Sequence, residues 1–150
     1  MTNTFKGKTV LIIEDDADMI EAVKLILQKT NYKILVAHNP EDGFDLAKKD
    51  KPDLIILDVM FGNGGESQGF QYAIKMKTDK TIAPIPILMM TSVNAEVSGY
   101  KFSDQTDGEY LPVDDFVDKP VQPEDLLNRV QKLLSQKTSI WVDYPNKKSV

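Results

Sequence analysis

The sequence predicts an α/β fold built on a five-stranded parallel sheet. Two observations point there. Short apolar, β-branched runs alternate along the chain with stretches whose apolar residues recur at helical spacing. The clearest of these runs, Leu54 to Leu57, is continuous rather than alternating, as in strands buried on both faces. A chain of 150 residues fits one domain and is long enough to bury a real core.

Thr9 to Ile13 reads as the first strand and ends in Glu14-Asp15-Asp16. The first helix follows from about Asp18 to Lys29, with Met19, Ile20, Val23, Ile26 and Leu27 at helical spacing. Lys33 to Ala37 is the second strand. Asn39-Pro40-Glu41-Asp42 starts the second helix, which runs to about Lys49. Asn is the N-cap, Pro sits in the first turn, and the acids lie near the positive end of the helix dipole. The third strand is the Leu54 to Leu57 run, bounded by Pro52 and closed by Asp58. A glycine-rich loop, Phe61 to Gly69, leads to a helix over Phe70 to Thr78. Ile85 to Met90 is the fourth strand, ending in Thr91-Ser92. Between Asn94 and Gly108, Val97, Tyr100 and Phe102 suggest a short helix followed by a loop. Asp114 to Asp118 contains the fifth strand, which ends at Lys119-Pro120. Gln122-Pro123 opens the last helix, whose stripe of Leu126, Leu127, Val130, Leu133 and Leu134 runs to about Gln136.

Right-handed crossovers leave few topologies for this pattern, and the doubly wound, flavodoxin-like strand order 2-1-3-4-5 is the natural one. The folded unit is expected over residues 8–136. Residues 1–7 form an N-terminal extension. Residues 137–150 form a tail that either docks through Trp141 and Tyr144 or frays.

Composition narrows the function. Hydrophobic residues make up 41% and charged residues 27%, ordinary for a globular protein. No apolar run approaches a membrane span, and the polar N-terminus has no signal-peptide core, so no membrane insertion is expected. The absence of cysteine excludes thiolate chemistry and is compatible with the cytoplasm. A net charge of -5 argues against direct nucleic-acid binding.

Four strands end in polar groups: Glu14-Asp15, Asp58, Thr91 and Lys119. In a parallel sheet these ends share one edge, the edge where ligand crevices open. Three carboxylates brought together need a cation. Oxygen-only ligands, with no cysteine and no suitably placed histidine, favour Mg²⁺ or Mn²⁺. With Lys119 as a fixed positive charge and Thr91 as a hydroxyl donor, the set suits a phosphoryl group attacked by a carboxylate. Plainer readings stand beside this one. Asp58 could form a turn, and Glu14 and Asp15 could cap the first helix, although Asp16 or Asp18 serves that purpose as well. Lys119 could be a surface lysine, Thr91 a satisfied strand-end hydroxyl, and Phe116 plain core. His38 follows the second strand, away from the acids, and reads as a surface histidine.

The chain resembles response-regulator receiver domains of two-component signalling. The matching pieces are Val10 to Asp16, Pro52 to Met60, Ile87 to Ser92 and Asp114 to Pro120, in order and at strand ends. The resemblance implies a phosphoacceptor at Asp58, charged by a sensor histidine kinase or a histidine phosphotransfer protein. It implies an Mg²⁺ site made by Asp15, by Glu14 through water, by Asp58 and by the backbone carbonyl of Met60. Lys119 would pair with the phosphoryl oxygens, and its bond to Pro120 is expected cis. Thr91 and Phe116 would form the switch that changes a protein-interaction surface for an output partner, with dimerisation possible. Such a receiver is expected to act without a fused effector and not as an enzyme. Two departures stand out: Gly62 to Gln68 lacks the usual proline and looks lengthened, and Asn94 to Pro112 is longer than usual. The competing readings are a constitutive protein-binding module that is never phosphorylated, and a haloacid-dehalogenase-like phosphatase. The phosphatase would need a second Asp where Met60 stands.

Overall fold

The computed structural model describes residues 7–61, 68–92 and 113–135. Its elements alternate as the sequence pattern requires: β1 (Thr9–Ile13), α1 (Ala17–Leu27), β2 (Lys33–Ala37), α2 (Pro40–Asp50), β3 (Leu54–Asp58), α3 (Gln68–Lys77), β4 (Ile87–Ser92) and β5 (Asp115–Lys119). A last helix, α4, covers residues 123–135. The five strands form one parallel sheet in the order β2-β1-β3-β4-β5.

Helices cover both faces of the sheet. Leu11, Ile13, Ile55, Leu57, Ile87 and Met89 point to the face packed by Ala47 of α2 and by Ala73 and Met76 of α3. Val10, Ile12, Leu54, Ile56, Leu88 and Met90 point to the other face, against Val23 and Leu27 of α1 and Leu126 and Val130 of α4. The run Leu54 to Leu57 is fully buried. β3 is therefore the central strand that its unbroken apolar run predicts.

Helix starts follow local chemistry. Asp16 caps α1, its Oδ1 accepting the backbone N–H of Asp18 at 2.9 Å. Asn39 caps α2 by accepting the Asp42 N–H at 2.7 Å, with Pro40 in the first turn. Asp16 thus caps α1, as the sequence allowed.

Two boundaries differ from the sequence expectation. α3 begins at Gln68, two residues before Phe70. Gly69, read from sequence as loop, lies inside this helix because it packs directly on the end of β3. β4 starts at Ile87 rather than Ile85. Ile85 donates its N–H back to Ile82 at 2.8 Å in a turn, and Pro86 has no N–H to give a ladder. The short helix expected between Asn94 and Gly108, the lengthened loop over 62–67 and the tail 137–150 lie outside the described residues.

Candidate phosphoryl-acceptor site

β1 and β3 are adjacent, and both end in acids at the C-terminal edge of the sheet. That adjacency brings carboxylate oxygens of Glu14, Asp15 and Asp58 within 4.8 Å of one another. Asp15 is exposed, while Glu14 and Asp58 are 1% and 3% exposed. β5 delivers the cation: Lys119 Nζ donates to Asp58 Oδ1 at 2.8 Å and lies 3.5 Å from Glu14 Oε1. The Lys119–Pro120 peptide bond is cis.

The acids are packed more deeply than their partners can balance. Burial pushes the Glu14 carboxyl up to about 7, and the nearby Asp58 charge adds to the rise, against the pull of Lys119. Burial likewise raises Asp58, opposed by Lys119 and by the backbone N–H of Met60. Lys119 is shifted upward despite its burial, because Asp58 and Glu14 favour its charged form. Glu14 Oε2 accepts the Asp16 N–H at 3.0 Å, but the buried Oε1 has no hydrogen-bond partner. An acidic pocket with a buried oxygen that has an ion-pair neighbour but no hydrogen bond has the chemistry of a site for a hard divalent cation.

Thr91 is buried and sits one position past Met90, the register partner of Asp58. The Val59 N–H bonds the Met90 carbonyl at 3.1 Å, holding the end of β3 beside this part of β4. By strand alternation Thr91 shares the α2–α3 face with Met89. Phe116, the register partner of Met89, is half-buried and packs on the same core. Thr91 and Phe116 are thus placed on adjacent strands and one face. Met60 is the second residue beyond Asp58 and is half-buried. His38 lies apart, in a cleft between β2 and α2 with Asp42 and Asp45. Gly69, expected in the loop, lies in the first turn of α3, where its N–H donates to the Val59 carbonyl at 2.9 Å.

A family model for the response regulator receiver domain matches residues 10–131. The chain belongs to the receiver domain family. It is 31% identical over 128 residues to the phosphate regulon transcriptional regulatory protein PhoB of Pseudomonas aeruginosa, covering 85% of this chain and 52% of that one. It is 27% identical to protein PilH of the same organism, covering 84% of this chain and 97% of PilH. The signal receiver domain of a signal transduction histidine kinase from Syntrophus aciditrophicus superposes with a TM-score of 0.69 at 28% identity, covering 86% and 91% of the two chains. The receiver spans about half the length of the first curated relatives it matches. No helix among its described residues is long and apolar enough to cross a membrane.

Proposed function

We propose that this receiver accepts a phosphoryl group on Asp58 in a cation-dependent reaction and thereby switches a protein-binding surface. The observation that carries the reading is the convergence of Glu14, Asp15 and Asp58 within 4.8 Å, with the Lys119 ammonium 2.8 Å from Asp58. The donor set fits the cation: all oxygen, three carboxylates, and a buried Glu14 Oε1 with no hydrogen bond. Asp15, Glu14, Asp58 and the Met60 carbonyl would hold Mg²⁺ or Mn²⁺. When bound, that ion supplies positive charge against the phosphoryl oxygens.

The protein's own groups divide the remaining work. An Asp58 oxygen attacks the phosphorus of a phosphohistidine on a sensor kinase or phosphotransfer protein. A P–O bond forms, the P–N bond breaks, and the imidazole leaves with its electron pair and takes a proton. Lys119 exchanges part of its contact with Asp58 for the phosphoryl oxygens. Phosphorylation adds about two negative charges and new acceptors, to which Thr91 donates its hydroxyl. As Thr91 moves, the space it leaves on the shared face receives Phe116, so two packings of β4 and β5 are biased by one charge. The output partner reads that face. The folded receiver is assigned to residues 8–136, acting in the cytoplasm through protein contacts.

Acetyl phosphate with Mg²⁺, followed by intact-mass measurement, tests the reading. One phosphoryl group per chain is expected, none after Asp58→Asn, and none without a divalent cation. Retained stoichiometric labelling in Asp58→Asn refutes the assignment. An unlabelled wild type favours a constitutive binding module, and steady turnover of a generic phosphate ester favours a phosphatase.

A further inference from the structure

Gly69 is the second residue of α3, and it meets β3 backbone to backbone. Its N–H donates to the Val59 carbonyl at 2.9 Å. A Cβ at this position would overlap the Asp58 carbonyl oxygen and lie 2.7 Å from Val59 Cα and 2.8 Å from Val59 O. All three atoms are backbone, so no change of rotamer relieves the overlap. Gly43 of α2 makes a useful contrast. The nearest atoms a Cβ there would meet belong to the Ile13 side chain, 2.7 Å from Cγ1 and 3.0 Å from Cγ2, in the core under α2 and not in the backbone at the end of β3.

The touched segment lies between the two residues that matter most to the site. Asp58 precedes Val59 and Met60 follows it. On its other side Val59 is tied to the Met90 carbonyl at 3.1 Å. The end of β3 is thus held between β4 and the first turn of α3. A displacement of Val59 is passed to the Asp58 carboxylate and the Met60 carbonyl together.

We infer that Gly69 is a positioning residue: the bare backbone of α3 sets where the Asp58 carboxylate and the Met60 carbonyl stand. The inference rests on the reading of Asp58 as phosphoacceptor. Groups that orient metal ligands are worth about 10–100-fold in metal affinity or activity, and misplacing a reacting group by about 1 Å costs on the order of 100-fold in rate.

The test compares wild type, Gly69→Ala and Gly43→Ala in the full chain. Mg²⁺ affinity is titrated, the rate of labelling by acetyl phosphate is measured, and circular dichroism fixes a temperature at which each variant is folded. Both substitutions are expected to lower the melting temperature. Only Gly69→Ala is expected to weaken Mg²⁺ binding and slow labelling, each by about 10–100-fold, with Gly43→Ala matching wild type in both. A folded Gly69→Ala within about twofold of wild type on both measures, against that expected range, overturns the inference. Should Gly69→Ala not fold, the wild-type amides decide. On addition of Mg²⁺ and beryllium fluoride, the Gly69 N–H is expected to shift and to exchange more slowly, together with that of Val59. A Gly69 amide that ignores ligands which move Val59 overturns the positioning role. A wild type that neither binds Mg²⁺ nor takes label overturns the acceptor reading itself, a distinct result.

Discussion

The two edges of the sheet use the same residue types to opposite ends. At the N-terminal edge, Asp53 Oδ2 accepts the Thr9 N–H at 2.9 Å and Asp114 Oδ2 accepts the Ile87 N–H at 2.8 Å. Each carboxylate thus answers a backbone N–H at the start of another strand. Each also has a lysine: Lys8 lies 4.0 Å from Asp53, and Lys77 lies 3.0 Å from Asp114 while donating to the Ala83 and Ile85 carbonyls. At the C-terminal edge Glu14 and Asp58 are more deeply buried, are crowded together with the exposed Asp15, and leave Glu14 Oε1 without a hydrogen bond. Satisfied acids fasten a fold. Acids held together without enough donors form a site that waits for a positive partner.

The comparison is tested most severely through Glu14. Its carboxyl is raised from an ordinary 4.5 to about 7, chiefly by burial and then by Asp58. The folded chain therefore binds this proton more tightly than the unfolded chain. The stability it contributes is fully present below the ordinary value and is lost as pH rises through about 7. Asp58, also raised by burial, acts in the same direction. In a chelator, thermal unfolding followed across this range should show a falling melting temperature, with Glu14 contributing up to about 3 kcal/mol. Glu14→Gln should flatten most of that slope and leave the protein more stable at neutral pH. Mg²⁺ should restore the loss in wild type but much less in the variant. A chelated wild type whose melting temperature does not fall with pH would mean that the C-terminal edge is as well balanced as the other.

Asp114→Ala probes the opposite edge. It removes the acceptor of the Ile87 N–H and leaves Lys77 with only its two carbonyls. About 1–3 kcal/mol should be lost in denaturant unfolding, given the part-buried setting. Labelling of Asp58 by acetyl phosphate should keep its rate wherever the variant is folded, because Asp114 lies at the other end of β5. A variant of full stability and slowed labelling would reverse the assignment of the two edges.

Much of this division was legible in the sequence because both edges are written in strand ends. The buried runs Thr9 to Ile13 and Leu54 to Leu57 could only be strands, and a parallel sheet then places Glu14, Asp15, Asp58 and Lys119 on one edge. The opposite edge was harder to read. Asp53 and Asp114 stand before their strands, where an acid also suits a turn, and neither spacing nor pattern shows that each reaches across to another strand. Gly69 was missed for a related reason. A glycine that closes a polar, glycine-rich stretch reads as loop, and only the backbone contact with Asp58 and Val59 shows that it belongs to a packed helix. Pro86 was the overlooked clue to the start of β4, since a residue with no N–H fits the edge of a ladder better than its middle.

The smallest effect separates the hydrogen bond from the ion pair within one staple. Asp53 accepts the Thr9 N–H at 2.9 Å, whereas its contact with Lys8 is a 4.0 Å approach between side chains 35% and 25% exposed. A part-exposed pair at that distance is screened and contributes about 0–1 kcal/mol. A hydrogen bond from a backbone N–H to a carboxylate contributes about 1–2 kcal/mol. Lys8→Ala should therefore be nearly silent in denaturant unfolding, and Asp53→Ala should cost about 1 kcal/mol. Added salt should leave the Asp53→Ala loss almost unchanged, since a short bond to a backbone donor is little screened. Equal losses from the two substitutions, both removed by salt, would mean that charge and not the backbone bond fastens this edge. The contrast with the acids around Asp58 would then lie in burial alone.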